Sequence, residues 1–289
     1  MSTNSPGYGQ VDRDYGMRLA TTPAADDGPI WMVNLMKYRE VARYADGRES
    51  TISGLEADDE YAPLDSLRAI GAEPVFFGPV EQQLLGDAPI WDRIGVVKYP
   101  TRRAFIDMQS RPEFKTSHEH KEAGMEQTIV MGCLPMPFPV APAGVSEVDW
   151  ADVPFPPSDD DGPVMVLHVI RFDDPEAAHI TPTHMEAYQS AAAISASKHG
   201  VRIAGWFAVE GTIVGDGRAW HQVRFNAFPS KRAFMAVVTD PARLEAQHDH
   251  REKAIADTYT MIVRPTIDRL RDSVDPASGD LASRVRPLL

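Results

Sequence analysis

One passage of this chain occurs twice, and that repetition restricts its folds more than any other feature. Trp91 to His120 reads as strand, proline, helix: an apolar β-rich run through Val96 and Val97, then Tyr99-Pro100-Thr101. Arg103-Ala104-Phe105 follows and opens a helix that ends in His118-Glu119-His120. At a spacing of 129 residues, Trp220, Phe228-Pro229-Ser230 and Arg232-Ala233-Phe234 repeat the first part. After a one-residue insertion, His248-Asp249-His250 repeats the end. Upstream, Gly162-Pro163 and the run Val164–Phe172 echo Gly28-Pro29 and Ile30–Tyr38 at a spacing of 134. A period this long means duplicated domains rather than a solenoid.

Within each copy the pattern reads β-α-β-β-α-β, the ferredoxin-like arrangement. The first strand is the apolar run 30–38. Tyr61, Leu64, Leu67 and Ile70 have helical spacing and Gly71 stops that helix. Strands follow over 75–85 and 91–99, with a turn at Gly86-Asp87. Thr101 caps the next helix, Pro112 breaks it, and 127–133 closes the unit. The expected organisation is an unstructured tail over 1–27 and a first domain over 28–135. A Pro/Asp-rich linker over 136–161, a second domain over 162–270 and a loose tail over 271–289 complete it.

A four-stranded sheet with both helices on one face leaves its other face bare, and that face must be covered. Two such sheets can meet face to face around a cavity, either within one chain or across a homodimer. Strand alternation then gives the lining. Met32, Asn34, Met36 and Tyr38 share a face, as do Val166, His168, Ile170 and Phe172. Gln222, Arg224 and Asn226 share one in the third strand of the second copy, where the first copy has Arg93, Gly95 and Val97. The second copy therefore offers His168, Arg224 and Asn226, and the first offers Asn34 and Arg93: two chemically unequal sites. A polar side chain on an apolar strand costs about 1–3 kcal/mol if left unpaired, so each needs a partner or a ligand. Tyr38, Trp91, Trp206 and Trp220 read as core, with Tyr38 and Trp206 also placed to touch a bound molecule. Glu81 and Glu210, matched at 129, are pseudosymmetric acids or exposed strand residues.

A net charge of −13 argues against a nucleic-acid backbone or an anionic membrane as partner. No apolar run reaches the length of a membrane helix, and no basic-then-apolar segment opens the chain. The single cysteine, Cys133, forbids an internal disulfide, reads as a small buried hydrophobe, and suits the cytoplasm. Histidines at i and i+2 on a helix point about 200° apart, so neither His-x-His pair is expected to chelate a metal. His179, His184, His199 and His221 read as loop, cap and surface residues.

The stretches Val96-Val97-Lys98-Tyr99-Pro100-Thr101-Arg102-Arg103-Ala104-Phe105 and Arg111-Pro112-Glu113-Phe114 resemble the dimeric α/β-barrel superfamily. More narrowly they resemble its small DUF1330-type domains and the antibiotic-biosynthesis monooxygenases. The resemblance implies two tandem ferredoxin-like α/β domains forming a pseudo-dimer. It also implies chemistry on a small, apolar, phenolic or polyketide-like molecule: cofactor-independent monooxygenation, cyclisation or isomerisation, as in secondary metabolism. His168, His118, His248 and Asn34 would be its catalytic candidates, and Arg224, Asn226, Tyr38, Arg93 and Trp206 would position the substrate. The haem-degrading members carry an Asn on strand one and a His in a Phe-Lys-x-x-His-x-His context. Asn34 and Phe114-Lys115-Thr116-Ser117-His118-Glu119-His120 match this, while the family's tryptophan falls near Met108. Haem binding is thus a second reading and a non-catalytic ligand-binding or stress-response module a third; no cofactor is the first expectation.

Overall fold

A computed structural model of the chain describes residues 7–174, 177 and 180–274. The chain opens with β1 (Gln10–Val11) and α1 (Arg13–Thr21), then β2 (Ile30–Tyr38), α2 (Gly54–Tyr61), α3 (Leu64–Ala69) and β3 (Glu73–Leu85). β4 (Arg93–Tyr99), α4 (Arg102–Ser110), α5 (Pro112–Gly124) and β5 (Met125–Pro135) follow. Later come β6 (Val164–Phe172), α6 (Thr183–Lys198), β7 (Arg202–Gly215), β8 (Gln222–Phe228), α7 (Lys231–Val238) and α8 (Pro241–Ala246). A π-turn (Gln247–Arg251) joins α8 to α9 (Glu252–Ala254), and β9 (Ile255–Val263) leads to the short β10 (Ile267–Asp268) and α10 (Leu270–Ser273). The fold is mixed α and β with antiparallel strand pairs.

The chain forms two compact units. The first holds the residues up to Gly78 with Ala88–Leu134 and Glu210–Ala219; the second holds Pro79–Asp87, Pro135–Val209 and Trp220 onward. In the first, β2 lies between β4 and β5; in the second, β6 lies between β8 and β9. Each unit also holds the last residues of a long strand that begins in the other half of the sequence: β7 in the first, β3 in the second.

The 129-residue repeat is visible in the bonds that fasten those strand ends. Glu210 accepts from Arg102 at 2.6 and 2.9 Å, and Glu81 accepts from Lys231 at 3.3 Å. Arg102 and Lys231 are themselves 129 residues apart. The first pair is buried and also takes the Tyr15 hydroxyl (3.0 Å), whereas the second is a third exposed and adds Arg264 at 2.8 Å. Asp27 and Asp161, 134 apart, accept from the first backbone N–H groups of α4 and α7, assisting Thr101 and Ser230 at the N-caps.

Three expectations need correcting. The tail expected over 1–27 is structured from residue 7 on, residues 1–6 lying outside the described residues: Asp12 caps α1, whose Tyr15 and Leu19, one turn apart, are buried in the first core, and Tyr8 is buried too. The single helix expected near 58–70 is two, because Pro63 removes a backbone donor and interrupts the run. The shared polar face of β2 and β6 is covered by helices, not by a second sheet. Met32 packs with Phe105, Met108 and Phe114, and Val166 with Phe234 and Val237. The opposite face carries Val33, Leu35, Ile94, Val96, Ile129, Met131 and Cys133, all apolar and fully buried. The tail expected over 271–289 lies, from residue 275 on, outside the described residues. Among the described residues no helix is long and apolar enough to cross a membrane.

Candidate functional site

β2 and β6 share one burial pattern. Both are buried throughout except at the fifth and eighth residues, and the fifth is Asn34 in one and His168 in the other. The reason lies in how the helix-side core divides. In the second unit Val164 and Val166 belong to one apolar cluster with Ala196, Phe228 and Phe234. Ile170 and Phe172 belong to another, with Ala177, Met185 and Ala254. His168 stands in the gap. In the first unit Ile30 and Met32 lie in one cluster and Met36 and Tyr38 in another, with Asn34 between them. Helix α6 matches this gap: Met185 and Ala196 anchor its two ends, and the intervening stripe carries partly open Tyr188, Gln189 and Ala192.

In the second unit the register places Trp206, Arg224, His168 and Thr260 in one row across four strands. Thr260 Oγ1 and His168 Nδ1 lie 3.3 Å apart, and His168 Nε2 makes no hydrogen bond among the described residues. The Arg224 guanidinium lies over the Trp206 ring at 4.1 Å and donates from Nε and Nη2 to Gln222 Oε1 (3.1 and 2.5 Å). From the helix side Arg243 donates to the Tyr188 hydroxyl (3.1 Å), and Arg251 is 7% exposed. Burial first, then Arg251, Arg224 and Arg243, hold His168 well below its ordinary pKa, so its ring is neutral. Burial and Arg251 push Arg224 down to about 9. Asn226 stands one row along, beside Val166.

The first unit is built differently. Gly95 occupies the position of Arg224, and a Cβ there would meet Phe77, the counterpart of Trp206, at 3.2 Å. The cation comes instead from Arg93, over Phe77 at 4.8 Å, and it is neutralised by Asp59 (2.7 Å) and Asp58 (3.4 Å). The Tyr38 hydroxyl donates to Asp58 at 2.6 Å; burial first, opposed by that bond, raises the Asp58 carboxyl above its usual range. Asn34 is tied to its own strand through Met32 O (3.0 Å). His118 stacks on Phe114 (5.2 Å), meets the Tyr8 hydroxyl through Nε2 (3.3 Å), and is pushed down to about 4 by burial and then by Lys121. Lys121 stands 5.3 Å over the Tyr61 ring and is itself lowered, by burial first, against the pull of Asp58.

His248 does not match His118 in space. The helix run from Pro241 to Ala254 is one residue longer than α5, and the π-turn absorbs that insertion. Inside the turn the histidine is carried outward, 81% exposed and 3.3 Å from Glu252. After it the register returns, so Arg251 falls where the first copy has Lys121. Two basic residues at matched positions of the repeat were the legible sign of this buried cation, and the sequence reading passed over them. It also gave no site role to Tyr8, on the expected tail, or to Tyr61 and Asp58, on a helix read only from its spacing. His221 is buried rather than surface and accepts from Phe172 N (3.1 Å). His184 meets His250, His199 stacks on Phe155, and His179 lies outside the described residues. His120 turns away from His118 to Tyr44 (2.8 Å) and Glu60 (3.1 Å). Among the described residues no three His, Cys, Asp or Glu side chains converge as metal ligands.

No protein-family model and no curated protein matches the chain. Solved structures do. A protein of unknown function from Rhodopseudomonas palustris is 26% identical over 47% of this chain and 99% of its own, with a TM-score of 0.38. A provisionally named monooxygenase from Fusobacterium nucleatum is 11% identical over 82% of this chain and 92% of its own, with a TM-score of 0.44. A single-residue variant of chlorite dismutase from Candidatus Nitrospira defluvii is 12% identical over 94% of this chain and all of its own, with a TM-score of 0.45. The expectation of a protein without a cofactor is corrected by the last of these, because chlorite dismutase is a haem enzyme. Tested against haem, the three candidate histidines divide. His118 has Nε2 on Tyr8 and Nδ1 enclosed, and His248 is on the surface with Glu252. His168 has the donor chemistry of an iron ligand: a neutral ring held at Nδ1, with Nε2 unbonded.

Proposed function

We propose that the chain is a duplicated dimeric α/β barrel of two tandem ferredoxin-like domains. In this reading it acts on a small organic molecule held beside His168, on the helix side of the second sheet. The observation that carries the reading is the partly open His168 in the gap between two apolar clusters, on a strand face otherwise sealed. The apolar walls would hold the body of the molecule, and Trp206 and Asn226 flank it. A neutral imidazole with a free Nε2 accepts a proton from a phenol or an activated carbon acid. Its lowered basicity makes it a weak acceptor, so the partner must be acidic, and the same arginines that depress the histidine favour such a partner's anion. Asn34, Tyr38, Arg93 and His118 would form a separate, charge-balanced site in the first unit.

The neutral ring supports a second reading, in which His168 holds a haem iron. Haem bound there would supply redox chemistry that side chains lack. Titration with haemin separates the two. A Soret shift saturating at one equivalent, lost in His168→Ala and kept in His118→Ala, supports the haem reading. Stabilisation by phenols that His168→Ala abolishes, with no Soret shift, supports the first. If neither haemin nor any phenol responds to His168→Ala, the site assignment is wrong.

A further inference from the structure

The second-unit site concentrates positive charge that no carboxylate among the described residues neutralises. Arg224 is 2% exposed and Arg251 7%. Buried guanidinium groups are ordinarily paired with carboxylates, and elsewhere in this chain they are: Arg102 has Glu210 and Arg93 has Asp58 and Asp59. Arg224 has only the neutral Gln222 amide, and its Nη1 makes no hydrogen bond among the described residues. Arg251 makes neither hydrogen bond nor ion pair among them. The acid that acts on it, Glu252, is engaged by Gln247 and His248 on the surface. Arg243 binds Tyr188 and the Val238 carbonyl, with no carboxylate on its guanidinium. This occurs in a chain with 42 acidic and 29 basic residues, where a nearby carboxylate would be the common outcome. The duplication sharpens the contrast, since the first unit keeps its buried cations in balance with Asp58 and Asp59.

We infer that Arg224 and Arg251, together with Arg243, form a receptor for the carboxylate of an organic acid whose planar body lies beside His168 and Trp206. The inference rests on the His168 site proposed above and names its ligand class. A guanidinium offers a carboxylate two parallel N–H donors, and one held flat on an indole presents its outer edge in a fixed direction. The Arg224 guanidinium lies over the Trp206 ring, 4.1 Å from its centroid.

The test uses the full chain, with benzoate as the probe and benzamide as its neutral counterpart, both at fixed ionic strength. Benzoate is expected to raise the melting temperature of wild type by several degrees at saturation and to bind Arg251→Gln at least tenfold more weakly. Benzamide is expected to bind at least tenfold more weakly than benzoate. In buffer without organic or oxyanionic solutes Arg251→Gln is expected to melt no lower than wild type, because it removes an unpaired buried charge. A melting point several degrees lower would show Arg251 to be a structural residue and overturn the inference. Equal responses to benzoate and benzamide, both lost in His168→Ala, would overturn the anion receptor and leave the His168 site standing. No response to either probe would overturn both.

Discussion

Replacing Glu210 by glutamine is expected to cost about 3 kcal/mol, while the same change at its repeat-mate Glu81 costs less than about 1. The difference follows from burial. The Arg102 and Glu210 side chains are 9% and 3% exposed and meet at 2.6 Å, so removing the carboxylate strands a guanidinium away from water. Breaking such a pair typically costs about 3–5 kcal/mol. The lower end applies because Asp27 remains 3.5 Å from Arg102 and the glutamine oxygen can still accept one N–H and the Tyr15 hydroxyl. Glu81 and its partners are each about a third exposed, where solvent screens the loss and Lys231 and Arg264 rehydrate at little cost. Urea unfolding followed by tryptophan fluorescence reads the contrast as a midpoint shift of about 1 M for Glu210→Gln against a few tenths for Glu81→Gln. Arg102→Met combined with Glu210→Met should recover most of the loss, since both charges then leave the interior together. Midpoint shifts equal within error for the two single variants would refute the reasoning.

His118 makes the fold acid-sensitive. Its ring is pushed from an ordinary value near 6.5 down to about 4, so the unfolded chain takes up the proton first. Stability from this group is whole above pH 6.5 and drains as pH falls toward 4, by about 2 kcal/mol at pH 5. His118→Phe should shrink the loss of unfolding free energy between pH 7 and pH 5 by about that amount; an unchanged loss would show the ring is not enclosed. Gly54→Ala should destabilise by about 3 kcal/mol or more, because a Cβ there meets the Gly124 carbonyl and the Arg39 backbone, whereas Gly28→Ala, facing open space, should change the melting point little.

Much of this was legible in the sequence because the repeat supplies its own comparison. The strand, proline and capping residues from Tyr99 to Phe105 and from Phe228 to Phe234 recur in order, and the elements form where they do. The Asp-Gly-Pro entry to each first strand also recurs, although the capping role of its aspartate shows only in three dimensions. The grouping of His168 with Arg224 and Asn226 came from strand alternation, which is a local rule. What covers a strand face is not local. A helix stripe of Met185, Gln189, Ala192 and Ala196 reads as ordinary core, and only the structure shows that Met185 and Ala196 join different clusters with His168 between them. The site's most unusual members, Arg243 and Arg251, sit on polar helix segments where arginine is expected to reach solvent. The π-turn that sends His248 outward is one inserted residue, and the sequence shows the insertion without showing which side chains it moves.

The central claim is that position 168 is partly open while its neighbours on the same strand face are sealed. Cys133 is the only native thiol and is buried, so a Cys133→Ser background permits single cysteines to be probed by a methanethiosulfonate reagent under native conditions. His168→Cys should react at least 100-fold faster than Val166→Cys or Ile170→Cys, which flank it on the same face. If all three positions are equally protected, the gap between the two clusters is closed and the site proposed around His168 does not exist.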